Sequence, residues 1–127
     1  MIEYTVRVYD NGDKYWYLNG KHHREDGPAI EYADETREWY LNGKFHREGG
    51  PAIEYADGDK LWYLNGKLHR EDGPAIECDD EDKRWYLDGK RLTEDQFNEA
   101  MDSTKELTIS EIESMLGYKI KVVGERL

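Results

Sequence analysis

The stretch Trp39-Tyr40-Leu41-Asn42-Gly43-Lys44-Phe45-His46-Arg47-Glu48-Gly49-Gly50-Pro51-Ala52-Ile53-Glu54-Tyr55-Ala56-Asp57-Gly58-Asp59-Lys60-Leu61 decides the fold, because it is the middle one of three consecutive copies. The units span 16–38, 39–61 and 62–84, and fifteen of their 23 columns are identical in all three. Trp16, Trp39, Trp62 and Trp85 mark the interval. Such self-similarity is the signature of stacked supersecondary units, none of which buries its own apolar face alone. A partial unit comes first, Val8-Tyr9-Asp10-Asn11-Gly12-Asp13-Lys14, and a truncated one, Trp85 to Lys90, comes last.

Each unit carries two turn signals. Asn19-Gly20, with Asn42-Gly43, Asn65-Gly66 and Asp88-Gly89 as its copies, tolerates the positive φ angles of a type I′ turn, whose twist suits a tight hairpin. The second signal is the acidic stretch at 10–13, 33–36, 56–59 and 79–82, which joins Ile-Glu-Tyr to the next Trp strand. Between them stands Gly27-Pro28 or its copies, and Pro cannot donate to a ladder. A unit therefore has about two strands if Lys21 to Tyr32 is one bent strand, and about three if Gly27-Pro28 breaks it. The expected fold is mainly β, an elongated antiparallel meander of stacked hairpins over residues 1–91 with a small α+β cap over 92–127. In the cap, Thr93-Glu94-Asp95-Gln96 and Thr108-Ile109-Ser110-Glu111 read as helix-opening capping boxes, and Tyr118 to Val122 alternates as a strand would.

Composition bounds the function. The 127 residues carry a formal net charge of −11, spread along the chain, which repels nucleic acid and anionic lipid and attracts basic protein surfaces. No apolar run approaches the roughly 20 residues of a membrane span, and the first residues lack a basic start followed by an apolar stretch, which predicts a cytoplasmic protein without membrane contact. Cys78 is alone, with no thiolate cluster for zinc, and replaces Tyr9, Tyr32 and Tyr55 in its column. No Gly-rich phosphate loop or nucleophile elbow is present, and a motif copied three times lacks the asymmetry of an active site, so neither enzyme activity nor a cofactor is expected.

Two sets of residues are candidates for binding. The first is the acidic edge of Asp34, Glu35, Asp57, Asp59, Glu77, Asp79, Asp80, Glu81 and Asp82, a ladder of carboxylates able to occupy the basic groove of a nucleic-acid-handling protein. Its structural counterpart is a solvated face that keeps a thin sheet soluble. The second is the stripe His23-Arg24, His46-Arg47 and His69-Arg70. Equivalent residues two strands apart lie about 10 Å from each other, too far to share a metal, so no metal is expected there. The stripe either braces the repeat, with Arg24 pairing to Glu25, Asp26 or Glu31, or reads a phosphorylated ligand or nucleotide.

Trp-Tyr-x-Asn-Gly-Lys-x-His, Asp-Gly-Pro-Ala and Tyr-Ala-Asp-Gly at this period resemble the MORN repeat, in particular its bacterial variant, over residues 4 to 90. The resemblance implies an elongated sheet of stacked hairpins and a scaffold that binds proteins or membranes. It also points to bacteria and their phages, where some variants are described as antitoxins or immunity proteins. Arg-Glu-Asp-Gly-Pro, where the eukaryotic pattern has Gly-x-Gly, counts against a lipid-binding role. The leading expectation is a non-enzymatic, inhibitor- or immunity-type protein that binds a basic partner, such as a host defence or toxin protein. The alternatives are a module sequestering a phosphorylated ligand through the His-Arg stripe and a structural scaffold that self-associates into a homo-oligomer.

Overall fold

A computed structural model describes residues 2–78, 81–102, 108–119 and 121. The chain is mainly β, an open antiparallel meander followed by two short helices. The entry strands are β1 (Thr5–Val8) and β2 (Lys14–Leu18). Unit one continues with β3 (Lys21–His22), β4 (Ile30–Glu31) and β5 (Arg37–Glu38). Unit two holds β6 (Tyr40–Leu41), β7 (Lys44–Phe45), β8 (Ile53–Glu54) and β9 (Lys60–Leu61). Unit three holds β10 (Tyr63–Leu64), β11 (Lys67–Leu68), β12 (Ile76–Glu77) and the start of β13 (Lys83–Leu87), and β14 (Lys90–Leu92) closes the sheet.

The two strand counts open to the sequence resolve into one geometry. β3 and β4 lie end to end along the same side of β2, with Tyr17 opposite His22 and Tyr15 opposite Ile30. Residues 23 to 29 therefore bulge out of a single strand position, and seven residues stand opposite one, Trp16. Backbone bonds close the gap on both sides, Trp16 N–H to Ala29 O at 2.7 Å and His23 N–H to Trp16 O at 3.1 Å. The same pair of bonds recurs at Trp39 and at Trp62. Gly-Pro thus interrupts the strand without opening a new position in the sheet, as expected of a residue that cannot donate to the ladder.

Both turn types take the geometry their residues allow. At Asn19-Gly20, Asn42-Gly43, Asn65-Gly66 and Asp88-Gly89 both central residues have positive φ, between 50° and 81°, as a type I′ turn requires. The acidic turns are three-residue loops closed by Tyr32 N–H to Thr36 O and Glu35 N–H to Tyr32 O, with the left-handed residue at Gly12, Glu35, Gly58 or Glu81. Hairpins bond to their neighbours as well, through Gly43 N–H to His22 O and Arg24 N–H to Tyr40 O, repeated one unit later.

Side chains also tie each unit to the next at the Asn-Gly edge and, as far as unit two, at the acidic edge. On the Asn-Gly edge, the N–H of Asn42 donates to His23 Nδ1 at 2.8 Å, that of Asn65 to His46 Nδ1 at 2.9 Å and that of Asp88 to His69 Nδ1 at 2.9 Å. On the acidic edge, the N–H of Ala33 donates to Asp13 Oδ1 at 2.7 Å and that of Ala56 to Thr36 Oγ1 at 3.1 Å. Among the described residues the buried set is small: Ala29, Ile30, Pro51, Ala52, Ile53, Ala75 and Phe97, with the polar His23 and Thr36.

Helix α1 (Glu94–Ala100) opens on the expected capping box, Thr93 with Gln96, buries Phe97 and packs against β13 and β14. Helix α2 (Ile109–Leu116) has its Thr108 N-cap and Gly117 C-cap but no buried residue, so the cap on the sheet is α1. No strand forms at Tyr118 or Lys119, and the rest of the strand expected there lies mostly outside the described residues. No helix among the described residues is long and apolar enough to cross a membrane.

Thr36→Val should separate the side-chain tie from shape. It keeps the volume but leaves the Ala56 N–H without its acceptor, so urea unfolding should show a loss of about 1–2 kcal/mol with an unchanged m-value.

Candidate functional site

Strand register assigns every column to a face, because residues directly opposite each other share one. One face carries Trp16, Trp39, Trp62 and Trp85 and is roofed by the bulging loops. In each loop an arginine lies over the unit's own tryptophan, the guanidinium carbon 4.0 Å from the ring centre for Arg24 and 3.8 Å for Arg47 and Arg70. Arg24 donates to Asp26 at 3.0 Å and to Pro28 O at 3.2 Å, with Glu31 at 3.7 Å. Arg70 repeats this with Asp72, Pro74 O and Glu77, each at 3.0 Å or less. Arg47 bonds Pro51 O and Glu54, and Gly49 stands where the other units have the Asp. The loop glycine is required by this packing: a Cβ at Gly27, Gly50 or Gly73 would sit 2.9 Å from the arginine's Cζ.

The His-Arg stripe is thus brought together as a brace. Of the pairings expected for Arg24, Asp26 and Glu31 form within the same unit, whereas Glu25 lies 3.5 Å from His23 Nε2. The guanidinium groups are stacked, mostly buried and already matched to carboxylates. A phosphate at this stripe would have to displace those carboxylates and overcome the charge around them. Each histidine accepts at Nδ1 from the next unit, which commits its ring to the array.

Next to the tryptophan row runs an alternating charge row, Lys14, Glu31, Arg37, Glu54, Lys60, Glu77 and Lys83, each opposite its neighbour in register. Opposite charges directly across a strand pair favour this register over a slipped one. Glu77, counted among the acidic candidates, belongs to this row and pairs with Arg70, so it stands apart from the turns.

The acidic turns line one edge. Asp34 accepts from Thr36 N–H at 2.9 Å and Asp57 from Asp59 N–H at 3.0 Å, both exposed. Asp82 pairs with Arg84 at 2.9 Å, while Asp79 and Asp80 lie outside the described residues. The four turn segments together contain ten acidic residues and no basic one. Lys21, Lys44, Lys67 and Lys90 lie beside the Asn-Gly turns of the opposite edge, so the sheet is polarised across its width.

The opposite face is aromatic, and the sequence pattern alone did not single it out. Tyr17, His22, Tyr40, Phe45 and Tyr63 form a continuous row with successive ring centres 4.7, 5.1, 4.4 and 5.1 Å apart. Tyr9, Tyr32 and Tyr55 stand where this face meets the acidic edge, immediately before three of the four acidic turns, Cys78 preceding the fourth, and Tyr9 and Tyr55 are exposed. The signal available in the sequence was their fixed place one residue ahead of three of the four turns.

The same face also collects the columns in which units differ most. One row runs Tyr15, Ile30, Glu38, Ile53, Leu61, Ile76, Arg84, and its neighbour runs Tyr17, His22, Tyr40, Phe45, Tyr63, Leu68, with Tyr86 opposite Arg91 beyond. Invariant Ile and Tyr alternate with residues that change from unit to unit.

Arg70→Lys keeps the charge but loses the planar stack and the forked bonds, and is expected to cost about 1–2 kcal/mol in chemical denaturation. The tyrosines make a second prediction. Burial first, then Glu38, pushes Tyr32 up to about 12. Burial likewise raises Tyr15, Tyr40, Tyr55 and Tyr63, with the Tyr40 hydroxyl donating to Glu38 at 2.8 Å. The folded chain therefore holds phenolic protons that the unfolded chain releases near pH 10, so stability falls as the pH rises from about 10 towards 12. Phenolate absorbance should lag behind that of free tyrosine and then rise together with loss of the β circular-dichroism signal. Comparison with protein-family models, with curated proteins and with solved structures returned no match to this chain.

Proposed function

We propose that the chain is a non-catalytic protein-interaction module, an inhibitor or immunity-type protein that binds a basic protein surface through its acidic, tyrosine-flanked edge. One observation carries the reading. Glu35 and Glu81 adopt φ of 77° and 69°, the left-handed conformation that Gly12 and Gly58 supply in the other two turns. A side chain there costs about 1 kcal/mol relative to glycine, so these two turns hold an added carboxylate at the expense of stability. A need for solubility alone is met as well by a carboxylate at any unstrained surface position.

The chemistry of the edge fits a guanidinium-rich partner. The acidic turns stand beside the exposed rings of Tyr9 and Tyr55, and Tyr55 is raised by burial first, then by Glu38, with Asp59 and Asp57 of its own turn adding to them. Arginine pairs with carboxylate and stacks on tyrosine at once, whereas lysine uses the charge alone. Long-range attraction to such an edge speeds encounter with a basic groove and weakens with salt. The resemblance to MORN repeats supports the same reading of a binding scaffold. Nucleic-acid-handling proteins present the basic surfaces this edge would cover.

The test combines Asp34→Asn, Glu35→Gly, Asp57→Asn and Glu81→Gly in one chain. Asparagine keeps the turn hydrogen bonds and glycine relieves the strained φ, so the variant should melt at or above the parent temperature. Capture of basic proteins from nuclease-treated bacterial lysate should be strong for the parent at low salt, weak at high salt and lost in the variant. Equal capture by both proteins, or capture indifferent to salt, rules the edge out.

A further inference from the structure

The two ends of the sheet differ. At the β14 end, α1 follows directly and packs on β13 and β14 with Phe97 buried. At the other end β1 pairs, among the described residues, with β2 alone, and all four of its residues are exposed. The antiparallel alternation fixes what this free edge offers. Tyr9 N–H bonds Asp13 O, so Tyr9, Arg7 and Thr5 direct their backbone groups towards β2. Val6 and Val8, and Tyr4 in continuation, direct theirs outwards.

The side chains alternate too. Val6 is opposite Trp16, and Val6 and Val8 are 43% and 66% exposed with Ile2 63% exposed nearby. Thr5 is opposite Tyr17, and Arg7 lies over the Tyr17 ring on that other face. Read outwards from Thr5, the segment Ile2-Glu3-Tyr4-Thr5-Val6-Arg7-Val8 is complementary to itself when run antiparallel: Tyr4 meets Val6, Glu3 meets Arg7 and Ile2 meets Val8.

We propose that this edge binds a second copy of the chain, the two β1 strands pairing antiparallel about a two-fold axis at Thr5. The outward N–H and C=O groups of Tyr4, Val6 and Val8 enter the shared ladder, the apolar side chains meet on the tryptophan face, and each Glu3 faces the other copy's Arg7. Charge selects this register among those that keep the faces matched. An axis at Arg7 sets two guanidinium groups against each other, and an axis at Val6 places Arg7 opposite Thr5 and Glu3 opposite Tyr9, leaving both charges without a counterpart. Because the contact is isologous, each β1 edge is used up by one partner and association through it closes at two copies. The acidic edge runs across the strand ends and stays free, so the dimer is independent of the reading above and would present two such edges in line.

Light scattering on the size-separated full-length chain tests this directly. The expected mass at micromolar concentration is twice the 15.0 kDa of one chain. Glu3→Arg and Arg7→Glu, each alone, create two like-charge pairs across the axis and should weaken the dimer about tenfold or more, while the combination Glu3→Arg/Arg7→Glu restores it. Val6→Pro removes an outward donor without touching the β1–β2 bonds and should give a monomer with an unchanged circular-dichroism spectrum. A monomeric parent overturns the proposal. So does a dimer that survives Val6→Pro, or one in which the double exchange fails to recover what the single changes lose.

Discussion

Seven residues opposite one tryptophan is the constraint on which the molecule depends. A strand that carries such a bulge would splay unless something held the loop flat against the sheet. Arginine does so, stacked on the ring with its fork closed by the loop's own proline carbonyl and, in units one and three, by the aspartate two residues on. The glycine under the guanidinium, the proline that ends the bulge and the alanine that rejoins the strand with no exposed surface follow from that stack. This explains why Arg-Glu-x-Gly-Pro-Ala-Ile-Glu is so little varied between copies. Few residues are fully buried, so order comes from repetition of local closures, each joined to the next by backbone and side-chain bonds.

Much of this was legible in the sequence, for identifiable reasons. The period, the type I′ turns and the α1 capping box each rest on residues whose backbone preferences leave one solution. The number of strands was not legible, because Gly27-Pro28 is compatible both with a bend and with a break. Choosing between them requires knowing that Ile30 returns to the strand position that His22 left. The histidine ties were hidden for a related reason. A His-Arg pair repeated in register looks like a ligand-binding stripe, and only the 19-residue step to the next Asn-Gly turn shows the acceptor role of Nδ1. The acidic turns were legible as charge, but the strain at Glu35 and Glu81 needed the φ angles.

Charge is sorted by this geometry into three kinds of place. Between the tryptophan row and the acidic turns positive and negative residues alternate across strands and cancel locally. At the Asn-Gly edge a lysine column remains, and at the other edge the acidic turns gather their carboxylates, with Arg84 meeting Asp82. A net charge of −11 therefore understates the acidic edge and says nothing of the lysine one. A basic partner approaching such a plate meets attraction on one side and repulsion on the other. On the proposed reading, its orientation would be set before any close contact forms.

Specificity for the proposed partner would have to come from somewhere less regular. The tryptophan face is nearly the same in every unit, since the bulge and its arginine leave little room for variation. Among the described residues no strand-interrupting loop lies on the tyrosine face, and its divergent positions alternate with fixed ones, so Tyr15, Glu38, Leu61 and Arg84 are held at even spacing by the isoleucines between them. His22, Phe45, Leu68 and Arg91 are held in the same way by tyrosines. Those substitutions change size, polarity and sign of charge while the backbone stays in register, because the ties that fix register lie on the edges. The aromatic face and the acidic edge meet at Tyr9, Tyr32 and Tyr55, so one surface can join the steering charge to the varied side chains that would distinguish one partner from another.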